Sequence, residues 1–122
     1  MRGLGQLEAT VMAFVWTAEA PVTVRDVVES LQRDRAIAYT TVMTVMDNLH
    51  SKGLLGRERV GRAYVYRATR AREQYEAELM EEVLASSSDR SATLLHFVEQ
   101  ISTEELAELR SLIAGLDETS RP

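Results

Sequence analysis

A mainly α fold with one small β-hairpin is predicted by three observations. Apolar residues recur at helical spacing along most of the 122-residue chain. The stretch 38–53 (Ala-Tyr-Thr-Thr-Val-Met-Thr-Val-Met-Asp-Asn-Leu-His-Ser-Lys-Gly) joins an apolar stripe to a face of short, neutral side chains. Two short segments around Val60-Gly61 then follow, and from Lys52 to Arg72 seven basic groups face a single acid, Glu58. A polar-faced helix followed by an arginine-rich hairpin is the pattern of a winged helix-turn-helix, whose helix enters the major groove while the wing holds phosphates. The expected organisation is a winged helix-turn-helix DNA-binding domain over 1–72, followed by a C-terminal helical dimerisation region over 73–122.

The first helix is expected over 3–17, where Leu7, Val11, Phe14 and Val15 form an amphipathic stripe. Trp16 reads as a core or seam residue, and 18–21 as a turn. Thr23 reads as the N-cap of a short second helix marked by Val24, Val27, Val28 and Leu31, ending near 33–35. Arg25 sits where it can assist a phosphate at that helix start or pair with Glu29 one turn on. The third helix, 38–52, carries Val42, Val45, Met46 and Leu49 on one stripe, with Thr40 or Thr41 capping its first turn and Gly53 ending it.

Strands are expected over 54–59 and 62–67, with Gly61 supplying the positive φ that a tight hairpin needs. Tyr64 and Tyr66 share one strand face, which either packs on the third helix or meets DNA. Thr69 reads as the cap of a fourth helix reaching Ser86, and the serines 86–88 as a break. Asp89 starts a fifth helix. Ser102 and Glu105 have the form of a capping box, opening a sixth helix to Asp117.

The formal net charge of −5 hides an asymmetry. Residues 1–72 carry 11 basic and 7 acidic groups, net +4, whereas 73–122 carry 3 basic and 12 acidic groups, net −9. Charges are screened over about 8–10 Å at physiological salt, so a nucleic acid feels the local patch more than the total. The chain has no cysteine, which excludes disulfides and thiol metal or redox sites. No apolar run approaches the roughly 20 residues of a membrane span, no signal peptide is expected, and the reading is a cytoplasmic protein. His50 and His96 lie in different predicted helices with no metal-ligand pattern, and no glycine-rich phosphate loop is present. Neither an enzyme nor a cofactor is expected.

The last three helices are apolar on one side and acidic on the other. A small winged domain has little surface on which to bury them, so a second copy in a two-fold homodimer is the expected cover. Tyr75, Leu79, Val83, Leu94, Phe97, Leu106, Leu109 and Ile113 are the candidate seam; the alternative is a helical subdomain folded on its own chain. Two recognition helices spaced by turns of roughly 34 Å suit an inverted repeat.

Several of these residues carry a resemblance. Tyr39-Thr40-Thr41-Val42-x-Thr44 with Leu49 and Lys52-Gly53, Leu7-Glu8-x-x-Val11-Met12-x-x-x-Trp16, Tyr64-x-Tyr66 and the run Leu94-Leu95-His96-Phe97-Val98-Glu99 together resemble the penicillinase-repressor family, the BlaI/MecI type, in order and over nearly the whole chain. The resemblance implies a dimeric repressor on an inverted-repeat operator of β-lactam-resistance or related stress genes. Thr41 and Thr44 match that family's groove-facing threonines. Thr40, Thr41, Met43, Thr44 and Asn48 are expected at base edges, and Arg57, Arg59 and Arg62 on phosphates of double-stranded DNA.

The resemblance also implies release by a regulatory protease before a phenylalanine, here the His96–Phe97 bond, with histidine replacing the family's asparagine. Two positions depart from the pattern: Asn48 stands where many relatives are basic, and Asp47 is an acid on or beside the binding helix, repulsive near phosphate unless it accepts from a cytosine amino group or pairs with an arginine. The cysteine-dependent copper response of one family branch is excluded. Two other readings stay open: a winged-helix protein-interaction module without DNA binding, and a repressor controlled by a small-molecule effector.

Overall fold

The computed structural model describes residues 3–119. In chain order these form α1 (Gln6–Thr17), α2 (Val24–Leu31), α3 (Tyr39–Ser51), β1 (Leu55–Val60), β2 (Ala63–Ala68), α4 (Arg72–Ser86), α5 (Arg90–Gln100) and α6 (Thr103–Thr119). They fall into two compact units that divide between Leu79 and Met80, inside α4.

In the first unit α1, α2 and α3 pack around one core with the hairpin against them. Val11, Met12 and Val15 of α1 meet Val27, Val28 and Leu31 of α2 and Val42, Met46 and Leu49 of α3. Leu54, Leu55 and Tyr66 close the core from the wing side. The α1 stripe differs from its expected form: Met12 is fully buried, while Leu7 and Phe14 are half-buried at its margin.

Local chemistry sets the ends. α1 starts at Gln6 rather than near Gly3, because Glu8 reaches back to accept from the Gly5 amide at 3.1 Å. Thr23 caps α2 as expected: its hydroxyl accepts from the Asp26 amide at 3.1 Å, and Asp26 accepts from the Thr23 amide at 2.9 Å. No side chain caps α3. Its N-cap is Ala38, so Thr40 and Thr41 lie inside the first turn instead of before it. α3 ends in a left-handed glycine, Gly53 at φ 82°, with the Leu54 amide bonded back to the Leu49 carbonyl, a Schellman ending.

The hairpin pairs Leu55 with Ala68 at its base and Val60 with Ala63 at its tip, one residue later than expected. Gly61, at φ 65°, and Arg62 form a two-residue turn with positive φ at the first position only, the backbone of a type II′ hairpin. The wing gains a partner that the alternation does not announce: Val22 and Tyr66 exchange two backbone hydrogen bonds of 2.8 and 2.7 Å. This anchors β2 to the segment before α2.

Thr69 does not cap α4. Its hydroxyl donates to the Gly53 carbonyl at 2.7 Å, tying the wing's exit to the end of α3. The first turns of α4 belong to the winged unit: Tyr75 lies 5.6 Å from Trp16, ring centre to ring centre, and Trp16 donates to the Arg70 carbonyl at 3.0 Å.

In the second unit, Asp89 caps α5 by accepting from the Ala92 amide at 3.0 Å. Ser102 opens α6 with the expected box: the Glu105 amide donates to its hydroxyl at 3.1 Å. Among the described residues, no side chain of α4, α5 or α6 is buried. No helix of the described residues is long and apolar enough to cross a membrane.

Candidate nucleic-acid interface

α3 buries Val42, Met46 and Leu49 and turns Thr40, Thr41, Met43, Thr44, Asp47, Asn48 and Ser51 outward. The five residues expected at base edges are therefore all on the exposed side. The Thr44 hydroxyl donates to the Thr40 carbonyl at 2.9 Å, which commits its proton to the helix. The exposed side chain still carries an accepting oxygen and a methyl group, the kinds of contact a base edge takes. Tyr39 begins the helix and is also exposed.

The wing stands beside this face, and one contact fixes how. Arg57 of β1 donates to Asp47 of α3 at 2.8 Å. The Tyr64 ring lies under the same guanidinium, 4.4 Å from its centre, and Tyr64 meets Tyr66 edge to face at 6.3 Å. Tyr66 is in the core, whereas Tyr64 is exposed, so the two tyrosines divide the packing role expected of both. Asp47, and after it Tyr66, raise the already high pKa of Arg57, which keeps the guanidinium charged.

The three arginines expected on phosphates are thus not equivalent. Arg57 is engaged by Asp47 and Tyr64. Arg59 is exposed, with its guanidinium 5.8 Å from the Tyr64 ring centre, and Arg62 is exposed in the hairpin turn. Glu58, the one acid of this segment, approaches Arg67 at 3.9 Å. At the other end of α3, Lys52 forms an ion pair of 2.7 Å with Glu8 and so braces α3 against α1. That contact holds the Glu8 carboxyl below the ordinary glutamate range. Arg25 and Glu29 are both exposed, and among the described residues no ion pair joins them.

The candidate seam residues are spread over both units. Tyr75 packs on Trp16, and Leu79, Leu106 and Leu109 are half-buried. Val83, Leu94, Phe97 and Ile113 are exposed, as are Met80, Leu95, Leu112 and Leu116. Phe97 is 45% exposed, so it is not the core residue that its type suggests. The His96–Phe97 bond lies inside α5, with His96 Nδ1 3.5 Å from Glu99. Among the described residues no cluster of three or more metal-ligating side chains occurs.

Sequence reasoning allows Asp47 an arginine partner without singling out Arg57, and it missed the Val22–Tyr66 bridge. The first had a signal: an acid on the outward face of α3, ten residues before a strand arginine, asks for a partner. The second had none, since a single bridging residue leaves no periodicity.

Three packed helices with an exposed third helix and an adjoining basic hairpin define a winged-helix fold. The family model "Penicillinase repressor" matches residues 4–115, and the chain belongs to that family. The transcriptional regulator BlaI of Mycobacterium tuberculosis is 42% identical over 117 residues, covering 93% of this chain and 85% of that protein. Among solved structures, a MarR family protein from Bacillus stearothermophilus aligns with a TM-score of 0.50 at 18% identity, covering 95% of this chain and 74% of that one. A MepR mutant from S. aureus aligns at 0.50 with 15% identity, covering 97% and 80%. At such identities the likeness is one of fold. Family membership places the chain among transcriptional regulators and not among enzymes.

Proposed function

We propose that the protein is a dimeric, sequence-specific DNA-binding repressor that occupies an inverted-repeat operator. The observation that carries this reading is the 2.8 Å bridge from Arg57 to Asp47, which sets the basic wing alongside the exposed, short-chained face of α3. A helix to enter the major groove and cations to meet the flanking phosphates lie side by side. In this reading Thr40, Thr41, Met43, Thr44 and Asn48 face base edges, and Arg59 and Arg62 hold phosphates.

The second copy is supported by the exposed apolar side chains of the C-terminal unit, Val83, Leu94, Phe97 and Ile113 among them, which far exceed scattered surface hydrophobes. Repression is steric, through an operator overlapping a promoter, in the cytoplasm. The genes in view are those of β-lactam resistance or a related stress response. Release runs through a regulatory protease at His96–Phe97. That bond is helical, so α5 must open locally before it is cut. Persistence of the intact chain in induced cells that express the target genes would exclude this route.

The direct test is enrichment of genomic fragments on the purified protein at several salt concentrations. The expected result is a recovered inverted repeat upstream of regulated genes. If no fragment is enriched even at low salt, the wing belongs instead to an acidic protein partner.

A further inference from the structure

Asp47 lies mid-way along the exposed face of α3, with Met43 and Thr44 one turn before it and Asn48 and Ser51 after it. A bare carboxylate there faces phosphate repulsion, yet this one is not bare. Oδ1 accepts from Arg57 at 2.8 Å, while Oδ2 has no hydrogen-bond partner among the described residues, and the side chain is 59% exposed. Arg57 is itself held: its side chain is only 24% exposed, the Tyr64 ring lies against it, and Tyr64 rests on the buried Tyr66. A chain of contacts running back to the core therefore offsets the charge of Asp47 and fixes its orientation. The free oxygen is an oriented group that can only accept.

In the major groove, guanine offers two acceptors and thymine an acceptor and a methyl group. Adenine sets its amino donor beside the N7 acceptor, which repels a carboxylate. Cytosine offers an amino donor alone. We propose that Asp47 is a base-reading residue that selects a cytosine in each half-site, and that Arg57 is the positioning residue that holds it. The inference rests on the DNA-binding reading above.

The test uses the full chain and begins with selection of a preferred repeat from random duplexes by the wild type. Binding is then measured with each of the four base pairs at every half-site position. One position is expected to favour cytosine by about tenfold. Asp47→Ala should erase that preference and leave the others in place, and Asp47→Asn should move it toward adenine. Arg57→Ala should weaken binding on every sequence, because it frees an unpaired carboxylate at the interface. Adding Asp47→Ala to Arg57→Ala should recover most of that loss.

If the wild type selects no repeat, the DNA-binding reading fails and takes this proposal with it. If it selects a repeat but Asp47→Ala keeps every preference, base reading by Asp47 is overturned while the DNA-binding reading stands. If the double variant binds no better than Arg57→Ala, Arg57 is a phosphate contact and its positioning role is overturned.

Discussion

At the scale of single residues, charge pairs fix the winged unit more than they stabilise it. Lys52 and Glu8 join the end of α3 to α1, and the contact depresses the Glu8 pKa. A depressed folded-state pKa contributes stability that is present above the unfolded value, near 4.5, and is lost as pH falls through the folded value. Lys52 is half-exposed, so screening limits the contribution to about 0.5–1 kcal/mol. Glu8→Gln keeps an acceptor for the Gly5 amide and removes the charge. Thermal melts should show it less stable than the wild type at pH 7, with the gap closing as the pH is taken well below 4.5. An equal gap at both ends would mean that the ion pair contributes nothing.

At the scale of elements, the ends of α3 and of the wing strands decide where the exposed face points. Gly53 holds φ 82° with open space around the missing Cβ, so Gly53→Ala meets no clash and costs only the left-handed backbone, about 1 kcal/mol. Denaturant unfolding should show that loss with an unchanged m-value; no change in the midpoint would contradict the Schellman ending.

The helices were largely legible because their apolar residues recur at 3.6 spacing, and Thr23, Asp89 and Ser102 acted as the caps that their chemistry suggested. Thr69 was misleading because a threonine before a helix looks alike whether its hydroxyl turns to that helix or to the carbonyl of Gly53. The outward placement of Thr40, Thr41, Thr44 and Asn48 follows from helical geometry, whereas Met43 comes from its place beside the threonines that the family resemblance picks out. The division between a pinned Arg57 and the exposed Arg59 and Arg62 did not, since it depends on which strand position comes beside Asp47. Periodicity places Phe97 on an apolar helix face, but nothing in one chain says whether the cover is its own fold or another copy.

At the scale of the whole molecule, the proposed dimer gives cover to a C-terminal unit that has no buried side chain among the described residues of α5 and α6. Leu112, Ile113 and Leu116 project from one side of α6, with Leu116 69% exposed. A two-fold seam uses each such residue twice, so Ile113→Asp forfeits roughly 3–6 kcal/mol, more than a hundredfold in dimer affinity. Sedimentation at micromolar concentration should then give a dimer for the wild type and a monomer for the variant. A variant that remains dimeric places the seam elsewhere.

The most direct test of the central claim is the affinity of the wild type for its selected operator against the same duplex with one half-site scrambled, each followed across a range of salt. A dimer reading an inverted repeat predicts binding weakened by orders of magnitude on the scrambled duplex. It also predicts a log–log salt slope on the intact operator that loses about one unit per recognition helix when Arg62 is replaced by Ala. Equal affinity for the two duplexes, or a slope indifferent to the wing, would contradict a two-fold repressor that reads DNA with α3 and grips it with the hairpin.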